Sequence, residues 1–345
     1  MKKPDIRSLN QADLQEIIKS WGEPAFRARQ IFEWLWKKGV GNFDEMKNIS
    51  GPLRERLKNE FSFGKVSIGE SQVSRDRTIK NSFLLPDGNL VEGVLIPTSS
   101  RMTACLSTQV GCSLTCKFCA TGRLGRKRNL EGYEIFDQLF LIRNQAMEKY
   151  GINLSHVVYM GMGEPLLNYK EVLKSIEHIC SPEGLGMSPQ RITVSTAGIA
   201  KMIKKLGDDG VKFNLALSLH AADDMKRNEI MPINEENSLE SLAEALRYFY
   251  DKTGTRVTFE YIVFRDFNDT PADARQLVSF AKKVPSKVNI IEYNPIEGGE
   301  FQQTSPERLK AFIDVLERNK IIVNVRRSRG KDIDAACGQL ANKLQ

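Results

Sequence analysis

Residues 109–122 carry the sequence Gln-Val-Gly-Cys-Ser-Leu-Thr-Cys-Lys-Phe-Cys-Ala-Thr-Gly, in which three cysteines follow the spacing C-x3-C-x2-C. The whole chain has six cysteines in 345 residues, so three within one short stretch are a cluster that chance rarely produces. Thiolates are soft ligands that bind iron–sulfur clusters well, and a four-iron cluster is normally held by four of them. Cys112, Cys116 and Cys119 would therefore leave one iron open to a ligand other than protein.

A structural zinc site is the alternative interpretation of this loop. Structural zinc has four ligands, commonly from paired C-x2-C units or nearby histidines. No fourth cysteine follows closely, and His156, the nearest histidine downstream, is too far along the chain for a simple zinc knuckle. The spacing thus favours an iron–sulfur cluster over zinc or over three unrelated core cysteines.

Composition and charge limit the class of protein. A hydrophobic content of 41% and a charged content of 27% are typical of a globular protein. We expect no membrane-spanning helix, because no apolar run reaches about eighteen residues, and the polar N-terminus does not resemble a signal sequence. Cysteines clustered in this way without a signal indicate a reducing compartment, so we expect a cytoplasmic protein. The net charge of +7 permits a nucleic-acid partner without requiring one.

Three regions are predicted along the chain: a basic helical domain (residues 1–75), a β-hairpin extension (76–100) and a main domain (101–345). Apolar spacing and capping residues in the first region predict three helices. These helices cover Asn10–Trp21, Pro24–Trp36 and Ser50–Phe61. Their many lysines and arginines could form a solvated face or could contact an RNA backbone, and the pattern leaves both open.

The hairpin is predicted from two strand-like runs, Thr78–Leu85 and Leu90–Ile96, which flank the turn sequence Pro-Asp-Gly-Asn. Glu92 lies in the second run among apolar residues. Strand alternation favours a side chain that faces solvent. The other interpretation is a buried general base.

From Met102 onward, strand-like runs alternate with helical stretches, and this alternation predicts a parallel sheet. The predicted strands are Thr103–Ser107, His156–Met160, Ile192–Ser195, Phe213–Leu219, Val257–Val263 and Val288–Glu292. The predicted helices include Glu131–Tyr150, Tyr169–Cys180, Leu239–Asp251, Pro271–Lys283 and Pro306–Asn319, and Ile321–Arg326 could add an edge strand. Six such units predict the class α/β, with an open, partial (βα)6 barrel.

Polar and glycine-rich motifs follow the predicted strands at their C-terminal ends, where parallel α/β sheets form active sites. The cysteine loop follows the first strand, and Gly161-Met162-Gly163-Glu164-Pro165 follows the second. Two glycines let a backbone pass close to a ligand, and Glu164 could pair with a ligand ammonium, although alone the motif could be an ordinary turn. Further candidates at strand ends are Ser195, Ser218, Leu219, His220 and Asn294.

Three cysteines lie outside the loop. Cys105 precedes the cluster, Cys337 lies in a glycine-flanked C-terminal stretch, and Cys180 lies near a predicted helix end. Each, taken alone, is more readily a buried small residue than a catalyst. His156 and His178 are likewise interpreted as packing residues.

The cysteine spacing resembles the radical S-adenosylmethionine (SAM) superfamily, in which C-x3-C-x2-C holds a 4Fe-4S cluster and the open iron binds SAM. With the other motifs, the chain resembles the bacterial dual-specificity ribosomal and transfer RNA adenine-C2 methyltransferases over nearly its whole length. The stretches that carry this resemblance are Cys105, Gln109–Gly122, Gly161–Asn168, Ser218–His220, Asn294 and Arg329–Leu340.

The resemblance implies a two-SAM mechanism. One SAM methylates a cysteine, here Cys337, and a second yields a radical that abstracts hydrogen from the S-methyl group. The resulting carbon radical adds to C2 of adenine, an electron-poor carbon that cannot attack a methyl sulfonium itself. Cys105 then attacks the sulfur of Cys337 and releases product, leaving a transient disulfide. Glu92 matches the family's proton acceptor, which reverses the interpretation from pattern alone.

The resemblance also implies ligands and partners. SAM contacts would come from Gly163, Glu164, Ser195, Ser218, Leu219, His220 and Asn294. The substrates would be 23S rRNA and tRNA, the latter modified 3' of the anticodon. A low-potential electron donor such as flavodoxin would supply electrons, and nothing requires more than a monomer. Basic residues of the loop 123–128 could hold RNA phosphates or be solvated surface.

Three alternatives remain. The related C8 methyltransferases of antibiotic resistance share the cysteine pattern but have Cys-Gly-Cys at Val110–Cys112 and alanine at Pro165. A radical SAM enzyme with a non-RNA substrate would not need the Cys105 and Cys337 pair or the basic N-terminal domain. A non-enzymatic RNA-binding protein would have no use for the cysteine loop.

Overall fold

The computed structural model describes residues 3–342, and a ten-stranded sheet runs through it in the order β1-β2-β3-β4-β7-β8-β9-β10-β11-β12. Its strands are β1 (Ser67–Val73), β2 (Ile79–Leu84), β3 (Leu90–Pro97), β4 (Met102–Cys105), β7 (His156–Tyr159), β8 (Ile192–Thr196), β9 (Asn214–Ser218), β10 (Val257–Val263), β11 (Ser286–Glu292) and β12 (Val323–Arg326). Two short strands, β5 (Gln109–Val110) and β6 (Arg128–Asn129), form a separate ribbon that brackets the cysteine loop.

Helices alternate with the strands of the main domain. The helices are α1 (Gln11–Ser20), α2 (Phe26–Trp36), α3 (Gly51–Glu60), α4 (Gly132–Tyr150), α5 (Tyr169–Cys180), α6 (Ala200–Asp208), α7 (Asp224–Ile230), α8 (Leu239–Thr253), α9 (Pro271–Ala281) and α10 (Pro306–Arg318). Within residues 3–342, no helix is long and apolar enough to cross a membrane.

The sheet has a parallel and an antiparallel part. Each neighbouring pair from β4 through β12 is parallel, whereas β1 to β4 form an antiparallel meander. The class α/β with a partial barrel of six βα units is therefore confirmed, and β12 adds the predicted edge strand. β1 was not predicted, and it already belongs to the sheet before residue 76. The division of the chain at residues 75 and 100 stays a prediction.

The N-terminal helices form as their capping residues predict. The Asn10 side chain accepts a hydrogen bond from the backbone of Asp13 (2.8 Å), so α1 begins one residue after the predicted Asn10. Trp36 of α2 stacks on His178 of α5 with ring centroids 3.6 Å apart. Burial, followed by the charge of Lys174, lowers the pKa of His178 to about 4, so the ring packs as a neutral group. The prediction of a packing role for His178 is confirmed.

Arg7 makes a second connection between the N-terminal domain and the barrel. Its guanidinium donates to both carboxylate oxygens of Asp137 on α4 (2.8 and 2.7 Å) and lies over the rings of Phe63 and Tyr133. A buried, bidentate arginine of this kind fixes orientation as well as distance. The helical domain is thereby held against α4 and α5, on the outside of the barrel.

Candidate active site

The cysteine loop is folded by a glycine and by contacts to α7. Gly111 has a φ of +75°, and a Cβ there would lie 1.8 Å from the carbonyl oxygen of Gly125, so no other residue fits. The backbone N–H of Lys117 donates to Ile230 O at the end of α7 (3.1 Å). Cys112 is buried, Cys116 and Cys119 are half-buried, and all three line one cavity of about 230 Å³ at the C-terminal ends of the parallel strands.

Two thiols of this loop, Cys112 and Cys116, have raised pKa values. Burial and the neighbouring Cys119 raise the pKa of Cys112 to about 11, and burial followed by the other two thiols raises the pKa of Cys116 further. Among residues 3–342, no three His, Cys, Asp or Glu side chains lie close enough to hold a single metal ion. A 4Fe-4S cluster binds each cysteine to a different iron, so this donor set fits a cluster better than it fits zinc.

Gly163 and Glu164 form the neighbouring wall. Gly163 has a φ of +98°, and a Cβ there would meet the Gln109 side chain at 2.5 Å. The Glu164 carboxylate accepts hydrogen bonds from the backbones of Leu166 (3.0 Å) and Ala197 (2.7 Å). Burial raises the pKa of Glu164, and no cationic side chain in the described part of the chain pairs with it. A buried carboxylate at the edge of a cavity, without a protein cation, fits a ligand ammonium.

The ends of β8 and β9 supply the next candidates. Ser195 Oγ and Ser218 Oγ lie 3.4 Å apart, and both residues line the cavity. His220 lines it too, with a φ of +55°, and its Nδ1 accepts from the backbone of Ile262 (3.1 Å). Burial, then the nearby Arg227, lowers the pKa of His220 to about 3, so the ring is neutral. A neutral, fixed imidazole suits packing or hydrogen bonding rather than charge pairing.

Three predicted residues are not part of the cavity lining. Leu219 is fully buried, and its carbonyl accepts from Arg227 Nε (3.0 Å). Asn294 donates to the carbonyl of Cys337 (3.4 Å), and its own Oδ1 is buried without a partner. Glu92 lies beside the cavity, under the C-terminal tail.

Cys105 and Cys337 line the same cavity from different parts of the chain. Cys105 ends β4 and is buried, whereas Cys337 is exposed. Burial raises the pKa of the Cys105 thiol to about 12, and the adjacent Cys337 contributes to this. The protein atoms around the cavity desolvate the Cys337 thiol and raise its pKa, although the residue keeps accessible surface, and Arg326 opposes the shift. Both are free thiols in the structure, as are the four other cysteines.

The C-terminal tail, residues 329–342, is tied down along its length. Asp332 accepts from Ser74 Oγ (2.5 Å) and from the backbone of Arg75 (3.1 Å). The backbone carbonyl of Gly338 accepts from Ala120 N (2.7 Å), directly beside the cysteine loop. Thr121 Oγ1 donates to Leu340 O at 2.6 Å. These contacts bring Cys337 to the cavity.

The expectation that Glu92 faces solvent is wrong. Its side chain is only 1% exposed, and its Oε2 accepts hydrogen bonds from the backbones of Ala341 (2.8 Å) and Asn342 (3.1 Å). Strand alternation failed here because both faces of β3 are covered, one by α4 and the other by the tail. The covering tail residues come some 250 positions later in the sequence, beyond the reach of any local pattern.

Three charged residues of the site were missed by the sequence reasoning. Lys80 on β2 lies beside Glu92. Arg326 on β12 pairs with Glu260 on β10 (3.1 Å), and both line the cavity. Arg227 is fully buried without a carboxylate partner and donates to carbonyls that include Ser218 O (3.1 Å). For Lys80 and Arg326, the available signal was a charged residue inside a predicted strand; Arg227 lies outside every predicted element, so the sequence offered no comparable signal for it.

The basic loop after the cysteines is largely engaged in internal contacts. Arg128 pairs with Asp87 (2.6 Å) and Glu134 (2.7 Å), and Arg123 donates to the carbonyl of Gly298 (2.9 Å). By contrast, several basic residues of the N-terminal helices are exposed. These are Arg29, Lys37, Lys38, Lys47 and Arg56. The helical domain therefore presents exposed cations that an anionic partner could contact, as does the outer surface of the barrel.

Comparison with known proteins gives family and fold matches. A family model described as "Ribosomal RNA large subunit methyltransferase N-terminal domain" matches residues 5–62, and the "Radical SAM superfamily" model matches residues 106–278. A protein of Cytophaga hutchinsonii named "Probable dual-specificity RNA methyltransferase RlmN" is 60% identical over 99% of this chain and 94% of its own. The protein of the same name from Flavobacterium psychrophilum is 53% identical over 99% of each chain.

A solved structure matches the whole fold. It is the crystal structure of a radical SAM methyltransferase from Sphaerobacter thermophilus, with a TM-score of 0.92 and 36% sequence identity. The match covers 98% of this chain and 99% of that one. The arrangement of helical domain, hairpin extension and partial barrel is therefore shared along the full length.

Proposed function

Since the chain belongs to the RlmN family of dual-specificity RNA methyltransferases, within the radical SAM superfamily, we propose that it methylates C2 of adenosine in two substrates. These are 23S rRNA and the position 3' of the anticodon in tRNA. We further propose that Cys337 carries the methyl group as a thioether and that each turnover consumes two SAM molecules. As a radical SAM enzyme, the protein uses a 4Fe-4S cluster and SAM as cofactors.

One observation carries this proposal: Cys105 and Cys337 line the same cavity as the three cysteines of the loop. They reach it from β4 and from the C-terminal tail, far apart in sequence. A methyltransferase that moved the methyl group directly from SAM to RNA would need neither thiol. Two thiols at one cavity instead support a covalent carrier and a second thiol that releases it.

Each residue has a task in this scheme. Cys112, Cys116 and Cys119 would hold the cluster, and Glu164 would bind the SAM ammonium beside it. When bound, the cluster supplies and takes back single electrons, and SAM supplies both the methyl group and the radical that abstracts hydrogen. Ser195, Ser218 and His220 would shape the SAM pocket from β8 and β9, with Gly163 allowing close backbone approach.

The thiols and Glu92 would act on the RNA. Cys337 sulfur would accept a methyl group and later bond to C2 of adenine through that carbon. Glu92 would take the proton from C2, and the Cys105 thiolate would attack Cys337 sulfur. That attack breaks the sulfur–carbon bond, forms a disulfide, and leaves the electron pair on the methylene carbon, which takes a proton to become the methyl group.

RNA binding and electron supply complete the proposal. The exposed cations of α1–α3 would contact phosphates, and the target base must be unstacked to reach the cavity. A low-potential donor such as flavodoxin would reduce the cluster. We place the enzyme in the cytoplasm, with its substrates, and as a monomer, because the cavity is lined by one chain.

The test is product identification after anaerobic turnover. Reconstituted protein would be incubated with methyl-labelled SAM, a reductant and an rRNA fragment or tRNA, and the digested nucleosides compared with standards by mass spectrometry. The proposal predicts labelled 2-methyladenosine. Labelled 8-methyladenosine would keep the thiol mechanism and overturn the position, whereas SAM cleavage without methylated RNA would overturn the RNA assignment for these substrates.

A further inference from the structure

Lys80 occupies the same sheet face as Glu92. In the antiparallel pairing of β2 with β3, Ser82 lies opposite Glu92 and Lys80 lies opposite Val94. Side chains two residues apart share a face, so Lys80 and Glu92 are diagonal neighbours. Val94 in turn lies opposite Cys105, and both of those residues line the cavity. Lys80 thus belongs to the wall that carries Glu92 and Cys105.

Lys80 and Glu92 form a buried pair. Lys80 Nζ lies 3.7 Å from Glu92 Oε1, and the two side chains are 3% and 1% exposed. Within residues 3–342, Lys80 is the one cationic side chain with an ion-pair contact to this carboxylate. The tail covers the pair, because Ala341 and Asn342 donate to Oε2.

The two oxygens of Glu92 differ in their partners. Oε2 accepts two backbone hydrogen bonds, whereas Oε1 is buried and has no hydrogen-bond donor among residues 3–342. Buried polar atoms are nearly always hydrogen-bonded, so an orphaned oxygen needs an explanation. At 3.7 Å, Lys80 stabilises negative charge on Oε1 without donating a normal hydrogen bond to it. Oε1 therefore keeps free lone pairs.

A carboxylate can accept a proton only if it is ionised beforehand. An isolated carboxylate is costly to ionise in a buried site, and it takes up a proton unless a cation compensates it. Lys80 supplies that cation, and the backbone N–H groups of the tail add to the effect. Removing Lys80 would leave this buried carboxylate without its one ion-pair partner in the described part of the chain.

We propose that Lys80 is a positioning residue for proton transfer, which holds the Glu92 carboxylate by its charge and leaves Oε1 as the atom that takes the C2 proton. The inference rests on the proposed function, because Glu92 has this task only in that scheme. The proton moves from C2 of the RNA–protein adduct to Oε1, and the C–H electron pair stays in the adenine ring. Lys80 touches neither RNA nor SAM in this scheme.

The inference makes a step-specific prediction. Methylation of Cys337 comes before the adduct, so Lys80→Met should leave it unchanged. Removal of the C2 proton comes after the adduct, so Lys80→Met should slow product release on the order of 10–100-fold, which is less than the roughly 10²–10⁴-fold that the general base itself contributes. A covalent protein–RNA species should accumulate, and kcat should fall with little change in KM. A merely structural lysine would not produce this combination.

The experiment compares Lys80→Met, Lys80→Gln and Lys80→Arg in the full-length, cluster-loaded enzyme. Cys337 methylation is measured by intact-protein mass spectrometry, the adduct by denaturing gel, and 2-methyladenosine by nucleoside analysis. Lys80→Arg should clear the adduct faster than Lys80→Gln, because it restores the positive charge. Arg308→Met is the matched control, since Arg308 pairs with the buried Asp269 (2.5 Å) away from the cavity.

The outcomes separate this inference from the proposed function. Glu92→Gln should trap the adduct; if it turns over normally, the role of Glu92 fails regardless of Lys80. If Glu92→Gln traps the adduct and Lys80→Met does not, the inference about Lys80 is overturned alone. Loss of Cys337 methylation in Lys80→Met would overturn it as well. If Lys80→Met does not fold, equal adduct clearance by the Arg and Gln variants would still contradict it.

Discussion

At the scale of single residues, burial decides which side chains can react. The Cys105 thiol is buried at the end of β4, and its pKa is raised to about 12, chiefly by desolvation. A thiol attacks only as thiolate, so this residue is held inactive at neutral pH until a step generates its anion.

Cys105→Ala should stop product release while leaving the earlier steps intact. Without the attacking thiolate, the bond between Cys337 and the RNA methylene cannot be broken, so a covalent protein–RNA species should accumulate on a denaturing gel. The exchange removes one buried sulfur in the core, which we expect to cost roughly 1 kcal/mol of stability. An absence of the adduct in protein that still methylates Cys337 would rule out the releasing role.

Sequence patterns pointed to the cysteines and Glu164 of the cavity, but not to Lys80 or to the burial of Glu92. The C-x3-C-x2-C spacing involves neighbouring residues only, so it can be recognised in the sequence without knowledge of the fold. The burial of Glu92 depends on Ala341 and Asn342, and that of Lys80 on the pairing of two strands and on the tail that covers both. Contacts of this kind join distant segments, and local hydrophobic periodicity contains no information about them.

At the scale of elements, two features lead to predictions: the C-terminal tail, whose mobility can be measured, and the contact between α2 and α5, which affects stability. Residues 329–342 have no helix longer than one turn, and hydrogen bonds to Ser74, Ala120 and Thr121 hold them in place.

The long helices and buried strands were predicted to within about two residues at each end, since their apolar pattern is strong. β1 was missed because its side chains are mostly polar and exposed or half-buried.

Asp332→Ala should loosen the tail. The aspartate accepts from Ser74 Oγ and Arg75 N, so its loss frees the segment just before Cys337. We expect faster hydrogen exchange over residues 329–342 and a lower rate of Cys337 methylation, with an unchanged barrel. Glu317→Ala, an exposed change on α10, serves as control. Hydrogen-exchange rates over residues 329–342 that equal those of the parent protein would mean that Asp332 does not anchor the tail.

The stack of His178 on Trp36 should make the protein acid-sensitive. The pKa of His178 in the folded protein, about 4, lies below the ordinary histidine value of 6.5, so the unfolded chain binds a proton first as pH falls. The contribution of His178 to the free energy of unfolding is therefore fully present above about pH 6.5. It is lost as the pH falls toward 4, which lowers the free energy of unfolding by on the order of 3 kcal/mol.

His178→Phe tests this, because phenylalanine keeps an aromatic ring against Trp36 and cannot titrate. Denaturant unfolding measured from pH 7 to pH 4 should show a smaller acid loss in this variant than in the parent. His220, which is also buried and neutral, contributes a remaining share in both proteins. Identical pH curves would mean that the stack does not hold His178 neutral.

At the scale of the whole molecule, the cavity and the exposed cations of the helical domain lie in different regions. The cavity lies at the C-terminal ends of the barrel strands, whereas many exposed cations lie on the helical domain. Phosphate contacts give affinity without reading sequence. In the proposed scheme, the helical domain would position the RNA and the cavity would carry out the reaction at the base.

Charge reversal on the helical domain should weaken RNA binding only. A variant with Arg29→Glu, Lys37→Glu and Lys47→Glu should bind RNA roughly tenfold or more weakly and show a smaller salt dependence, because fewer counterions are released. Cys337 methylation, which needs no RNA, should be unchanged. The same charge change at Lys201, Lys282 and Lys310, all exposed on the barrel, is the control. Equal losses in both variants would indicate a nonspecific effect of net charge.

The central claim is that the methyl group passes through Cys337, and a single-turnover labelling experiment tests it most directly. The protein is first methylated with SAM carrying a CD3 group, freed of that SAM, and then reacted with RNA and unlabelled SAM, with Cys337→Ala as the inactive control. The account predicts first-turnover 2-methyladenosine with a CHD2 group, one deuterium having been abstracted and one proton gained from solvent. An unlabelled methyl group, or an intact CD3 group, in that product would contradict the account.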